Sequence, residues 1–579
     1  MNAERLLAHF ERISEAPDAI ARLRRFILDL AVRGKLVEQD PEDEPVPLLL
    51  DEIKSRMRRL RLNHAFSVID HSEIPFDEPS GWTWCRLGEV CEKTGSGSTP
   101  RGGKDVYKKS GVPFLRSQNI YDEGLRLEDV AFIDDLTHER MAGTRVLPCD
   151  LLLNITGGSI GRCAKVPLDF GEANISQHVA IIRVAARGME EFLHSLILSP
   201  YFQGFVDNSQ TGAGRGGLPK NRMDAIPVPL PPLAEQHRIV AKVDELMALC
   251  DQLEAARQQG DQGRERLLAA TLQRLNQPAE DPASFRKDAS FALQVLPSLT
   301  TTPAQIKQLR QTILNLAVRG KLVEQDPEDE PAEELLASFA EAKVELRKST
   351  GDARIKIEDA PSPEALPWSL PVGWMCQSFQ NLFLFIDYRG NTPPKTNDGV
   401  PLITAKNVRM GRLEREPQEF LSQTTFEKWM TRGFPRVGDL FFTTEAPLGN
   451  VCLNDINEPF ALAQRVICLQ PYADINTKFI MFALMSDLMQ FMIGEHATGL
   501  TAKGIKAAKL KPLPIPLPPL AEQHRIVAKV DELMALCDQL EQQLSQADQQ
   551  RRRLLEAVLA EALGGKLPTE QEESHAAVA

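Results

Sequence analysis

The chain has 579 residues, 42% of them hydrophobic and 25% charged, with nine cysteines and a formal net charge of −13. These are the proportions of a globular protein of two to four domains, and they exclude a fibrous or disordered chain. No apolar run reaches the ~18–20 residues of a membrane span. The charged start, MNAERLLAHFERISEAPD, is not a secretory signal. The cysteines are scattered with no CxxC pair, which argues against a disulfide framework or zinc site and for a reducing cytoplasm.

The chain is a tandem duplication. LAVRGKLVEQDPEDEP (30–45) recurs unchanged at 316–331, and 27 of 28 residues of PVPLPPLAEQHRIVAKVDELMALCDQLE (227–254) recur at 514–541. The segments between are diverged but align through Gly81-Trp82 with Gly373-Trp374, GSTP (97–100) with GNTP (390–393), Asp150-Leu151 with Asp439-Leu440, and Gln177 with Gln464. Two domains that share a fold and present different surfaces are therefore expected at 79–230 and 366–517. The remaining segments are an N-terminal helical scaffold (1–78), a central helical spacer (231–365) and a C-terminal helical spacer (518–579).

In chain order, 21–36 is expected to be an amphipathic helix. A mixed α/β domain follows, with β-rich runs such as VPFLRS and VAIIRV (179–184) and one core helix over 191–206. After PLPPL the repeat turns helical, with Ile239, Val243, Leu246, Cys250 and Leu253 spaced 4-3-4-3 as a heptad seam. NQPAEDPAS (276–284) and DAPSPEALP (359–367) read as linkers, as does EQDPEDEP in both copies. The second half repeats the plan, with helix 307–322, strands DLFFTT (439–444) and RVICLQ (465–470), a core helix over 478–493 and a heptad seam from Ile526 to Ala547. The fold class is mixed α/β (α+β), a pseudo-twofold duplication.

The charge is unevenly placed. Residues 79–230 hold 17 basic and 17 acidic side chains and 366–517 hold 15 and 13, so the acidity lies in the helices and linkers. Arg101, Lys104, Lys108, Lys109 and Arg116 cluster around one acid, Asp105. Arg389, Lys395, Lys406, Arg409, Arg412 and Arg415 occupy the matching region of the second domain. Such a face can neutralise phosphates while short polar side chains reach base edges. Catalytic motifs are missing. NTPP (391–394) lacks the aromatic of an amino-methyltransferase clamp, GSTPRGGKD (97–105) lacks the hydroxyl of a P-loop, and the histidines have no metal spacing. TGAGRGG (211–217) precedes a proline-rich segment and reads as a mobile loop near ligand, not a dinucleotide site.

Two diverged domains, each ending in LPPLAEQHRIV (230–240 and 517–527) and entering a heptad helix, with LAVRGKL after the first, resemble the DNA specificity subunit of a Type I restriction–modification enzyme. The resemblance implies two target recognition domains separated by long antiparallel coiled-coil helices, each domain reading half of a bipartite asymmetric DNA site. It implies a non-catalytic, cytoplasmic chain whose partners are double-stranded DNA, two modification subunits and two motor-nuclease subunits. S-adenosylmethionine, ATP and magnesium would be used by those partners, with no cofactor in this chain. The residues expected at DNA in the first domain are Thr99, Arg101, Lys104, Arg116, Ser117, Gln118, Asn119, Thr156, Arg162, Gln177, His178, Arg215 and Lys220. In the second they are Arg389, Asn391, Lys395, Thr404, Lys406, Asn407, Thr443, Gln464, Arg465, Lys503 and Lys506, because Arg, Lys, Asn and Gln make base-edge contacts. Asn119 and Asn407, being matched, have the alternative of holding a shared turn. Two other readings are a coiled-coil adaptor without base readout and a stand-alone DNA-modifying enzyme.

Overall fold

The computed structural model describes Ala16, residues 18–62, most of 69–77, residues 79–208, 217–276, 282–351, 355–356, 358–388, 392–499 and 503–563. The chain forms two compact units, residues 1–260 with 548–579, and residues 261–547.

In the first unit the helix Ala19–Val32 stops at Gly34, whose φ of +63° lets the Lys35 N–H reach back to the Leu30 carbonyl at 3.0 Å. A Cβ here would lie 2.3 Å from Pro79, beside Trp82, so the glycine also admits the start of the variable domain. The second unit repeats the device at Gly320, where the near atoms belong to Pro371 and Trp374. The EQDPEDEP segments are irregular, as expected of linkers, but they are not merely solvated. Asp43 accepts both arms of the Arg238 guanidinium at 2.9 and 2.6 Å, and Asp329 those of Arg525 at 3.0 and 2.5 Å. Each arginine holds its partner's carboxyl below the usual carboxylate range. The two repeated sequences are thus the two halves of one joint, built twice.

Both heptad segments form single helices of 44 residues, Leu233–Asn276 and Leu520–Leu563. In the first unit Ile239, Val243 and Cys250 pack on Ile20, Ile27, Ala31 and Trp82, while Arg22 ion-pairs with Glu556 at 2.6 Å. In the second, Ile526, Val530 and Cys537 pack on Ile306, Ile313 and Ala317, while Asn276 donates to Thr312 at 3.3 Å. The start of one long helix and the end of the other therefore flank each short helix. Residues Pro282–Leu299 form a further helix that the Pro-rich start of this segment concealed.

Each variable domain opens and closes on one two-stranded ribbon, Thr83–Arg86 with Pro227–Leu230 and Met375–Ser378 with Pro514–Leu517. Alternate prolines are tolerated because only one edge of that strand is paired. Within the first domain an antiparallel sheet has the order Cys91–Ser96, Val179–Val184, Leu151–Asn154, Cys163–Lys165. The second domain matches it with Phe383–Asp387, Val466–Pro471, Leu440–Thr443, Val451–Leu453. A second, mixed sheet in each pairs Val112–Leu115 with Ala173–Ile175, and Val400–Ile403 with Ala461–Leu462, in parallel. Buried Asp150 is met by the Arg183 guanidinium at 2.7 Å, whereas its counterpart Asp439 accepts from the uncharged Gln470 amide at 2.8 Å, the Arg436 backbone N–H at 2.7 Å and the Cys468 thiol at 3.5 Å, and burial raises the Asp439 carboxyl.

The core helices expected over 191–206 and 478–493 are each two helices, a correction to the single-helix reading. Glu190–Leu198 breaks into Pro200–Asn208, and Thr477–Met485 into Asp487–Glu495 at 71°. Ser199 and Ser486 cause the breaks. Each hydroxyl donates to the carbonyl three residues back and accepts the N–H three residues ahead, ending one helix and capping the next. Both pairs lie in the cores, and no single described helix is long and apolar enough to cross a membrane.

The helix after each joint is specific to its own domain. Val46–Arg59 buries Ile53 and Met57 against the first domain, whereas Ala332–Thr350 places Phe339 and Lys343 at those positions. Lys343 Nζ donates to the Gln380 carbonyl and to Asn381 Oδ1, both at 2.8 Å, and burial lowers its pKa from 10.5 to about 8. A lysine so depressed contributes stability present above its unfolded value and lost as pH falls through about 8. Between pH 7.5 and 10.5 the wild type should therefore gain about 1–2 kcal/mol relative to Lys343→Met, after screening by nearby solvent. Urea unfolding midpoints across that range measure the difference, and parallel pH curves would refute it.

Candidate nucleic-acid interface

Four loops converge at one end of the antiparallel sheet of the first domain. Backbone bonds fix them. Gly97 N–H reaches the Val179 carbonyl at 2.9 Å, Ile155 N–H the His178 carbonyl at 3.0 Å, and Leu218 N–H the Ile155 carbonyl at 2.8 Å. Gly97 is required, since a Cβ would sit 2.1 Å from the Ile175 carbonyl oxygen. Across this frame runs a polar string. Thr99 Oγ1 donates to Gln177 Oε1 at 2.8 Å, Gln177 Nε2 lies 3.4 Å from His178 Nε2, and His178 Nδ1 lies 2.6 Å from Thr156 Oγ1. Thr99, Gln177 and His178 are exposed.

The second domain repeats the frame. Thr444 N–H reaches the Arg465 carbonyl at 3.0 Å and Ile505 N–H the Thr444 carbonyl at 2.9 Å. Gln464 Nε2 donates to Thr392 Oγ1 at 2.9 Å, matching Gln177 and Thr99. Where the first domain has His178 and Thr156, the second has Arg465 and Glu445, an ion pair of 2.9 Å between half-exposed side chains. Sequence reasoning missed Glu445 and Thr392. Aligning Thr156 across the duplication points to Glu445.

Beside each string stands a hairpin. In the first domain, Ile120–Tyr121 pairs with Gly124–Leu125, and the Tyr121 ring carries Arg126 at 3.7 Å and Arg162 at 4.8 Å. In the second, Val408–Arg409 pairs with Arg412–Leu413, and both arginines share Glu414 at 2.8 Å. Tyr121 and Arg126 were not anticipated. A ring flanked by two guanidiniums holds both cations in place, and their N–H groups have the chemistry to meet phosphate.

Three expected contact residues are corrected. Asn119, Asn407 and Thr443 are buried, at 1%, 1% and 0% exposure. Asn119 accepts the Arg116 N–H at 3.0 Å and donates to the Arg126 carbonyl at 2.9 Å. Asn407 does the same between the Thr404 N–H and the Pro417 carbonyl. These asparagines hold the turn that launches each hairpin. Thr443 accepts the Asn450 N–H at 2.9 Å inside the sheet-end turn. Of the others, Arg116 and Ser117 are half-buried, Arg116 donating to the Asp129 carbonyl and the Ser117 carbonyl accepting from Asn154. Thr404 is half-buried against Asn407. Lys220 bonds Thr94 at 2.6 Å and pairs with Asp224. Lys395 and Lys406 flank Glu419 at 2.7 and 3.7 Å. Arg101, Gln118, Lys503 and Lys506 are exposed. The side chain of Lys104, the residues Arg215, Arg389 and Asn391, and most of the TGAGRGG loop lie outside the described residues.

A family model for the Type I restriction modification DNA specificity domain matches residues 79–260 and 388–547, and the chain belongs to that family. It is 29% identical over 571 residues to the specificity subunit of the Escherichia coli Type I restriction enzyme EcoEI, covering 94% of each chain. It is also 29% identical to the EcoAI specificity subunit from Escherichia coli, covering 93% of each. The HsdS subunit from Thermoanaerobacter tengcongensis superposes with a TM-score of 0.44 at 20% identity, covering 84% of this chain and 98% of that one.

Proposed function

We propose that this chain is the DNA specificity subunit of a Type I restriction–modification complex and that each variable domain reads one half of a bipartite, asymmetric site. One observation carries the division of labour. The same backbone frame recurs in both domains with a shared Thr–Gln pair and a different neighbouring pair, as expected of one reading device set for two sequences. The Tyr121, Arg126 and Arg162 stack and the Arg409 and Arg412 hairpin contact the phosphate backbone, which positions the protein without reading sequence. The exposed string residues face base edges.

In the same reading, the long helices act as antiparallel spacers that set the unread gap, and the acidic scaffold docks two modification subunits. Those subunits supply S-adenosylmethionine and adenine methylation, and two motor-nuclease subunits supply ATP- and magnesium-dependent translocation and cleavage. This chain contributes recognition and no catalytic group. Mapping methylated adenines genome-wide, with and without this gene, tests the reading. The expected result is one bipartite motif present in the first strain and absent from the second. An unchanged methylome in the deletion strain would overturn it.

A further inference from the structure

On the matching backbone frames, the polar strings of the two domains differ in one pair. The Thr–Gln bond is common to both, so it cannot distinguish the sequences they read. The neighbouring pair can. It is His178 with Thr156 in the first domain and Arg465 with Glu445 in the second, on matching backbone bonds.

The Arg465–Glu445 pair has the chemistry of a G·C reader. Its ion pair is made through Nε, and the remaining guanidinium N–H groups have no hydrogen-bond partner among the described residues. A guanidinium held at Nε presents its outer fork, the arrangement that meets guanine O6 and N7. Glu445 is 44% exposed at the side chain, and a carboxylate there repels phosphate. It therefore belongs over base edges, where it can also accept from the cytosine amino group. The first domain has neither group. Its hydroxyl and imidazole can donate or accept singly, which gives no fixed demand for a G·C pair.

We infer that Arg465 and Glu445 are the specificity-determining pair of the second domain, imposing a G·C base pair in its half-site, and that Thr156 and His178 hold the equivalent slot in the first domain without that requirement. This rests on the reading of both domains as DNA-binding.

The test is selection of bound duplexes from a library randomised across the second half-site, with the first half-site fixed at its mapped sequence. The protein is the full chain in complex with its modification subunits. Wild type should show a position at which G·C is preferred by roughly 5- to 150-fold. The double variant E445T/R465H should lose that preference and keep every other position. R465K, a single-point donor, should bind but discriminate G from A poorly. A G·C preference that survives both changes overturns the assignment, as does uniformly weaker binding with the consensus intact, which would place the pair on the backbone. Loss of all binding by both variants, with unaltered unfolding midpoints, also overturns it, because one base-pair contact is too small a change to abolish binding. A wild-type selection with no sequence preference across the second half-site is a different result. It would refute DNA reading by this domain altogether.

Discussion

A chain in which residues 46–230 are replaced by a second copy of 332–517 should direct its modification subunits to a site made of the second half-site twice, with the first half-site lost. The joints make the exchange feasible. Asp43 and Arg238 correspond to Asp329 and Arg525, with the same bidentate geometry. Trp82 meets Phe192 edge-on at 6.2 Å, as Trp374 meets Phe479 at 6.2 Å. The boundary matters. Exchanging only 79–230 would leave Met57 facing the positions of Gln380 and Asn381, whose oxygens Lys343 now satisfies. Unsatisfied buried acceptors cost about 1–3 kcal/mol, so the helix should travel with its domain. Each mismatched base pair costs about 1–3 kcal/mol, so three altered pairs suffice to abolish use of the old half-site. Methylome mapping of the chimaera decides the matter. Retention of the original asymmetric site, or alteration of both halves to new sequences, would refute modular reading.

Lengthening both long helices by four residues, one between 260 and 263 and the other between 547 and 550, should leave both half-sites unchanged and widen the gap between them. Four residues add ~6 Å and about 400° of rotation, close to a whole turn, which keeps the apolar seams nearly in phase. At ~3.4 Å per base pair this is one or two base pairs. Gly260 and Gly263 are exposed, and a Cβ at either would meet nothing within 4 Å, so an insertion there displaces no packed side chain. Both helices need the insertion because each begins in one compact unit and ends in the other. A methylated site with its original gap, at wild-type activity, would refute the helices as rulers. Insertion of two residues, about 200° of rotation, should by contrast turn the seam outward and prevent assembly.

Several features were legible in the sequence because local chemistry or repetition carried them. The 4-3-4-3 spacing from Ile239 to Leu253 gave a helix buried on that seam, and VAIIRV gave the strand Val179–Val184. The duplication by itself matches Gln177 with Gln464 and Asn119 with Asn407. Composition alone placed the acidity outside the variable domains. What tertiary structure decided was which polar groups are spent. Asn119, Asn407 and Thr443 are the residue types of a DNA surface, but each is buried because a neighbouring turn needs its oxygen or amide. EQDPEDEP has a linker's composition, and only an arginine 195 or 196 positions away in sequence makes its aspartate one side of a joint. The polar strings could not be read from sequence for the same reason. Thr99 meets Gln177 across 78 residues and Thr156 meets His178 across 22, because antiparallel strands bring the loops at one sheet end together. Side-chain type is a local property of the sequence, whereas exposure and partnership depend on residues distant along the chain.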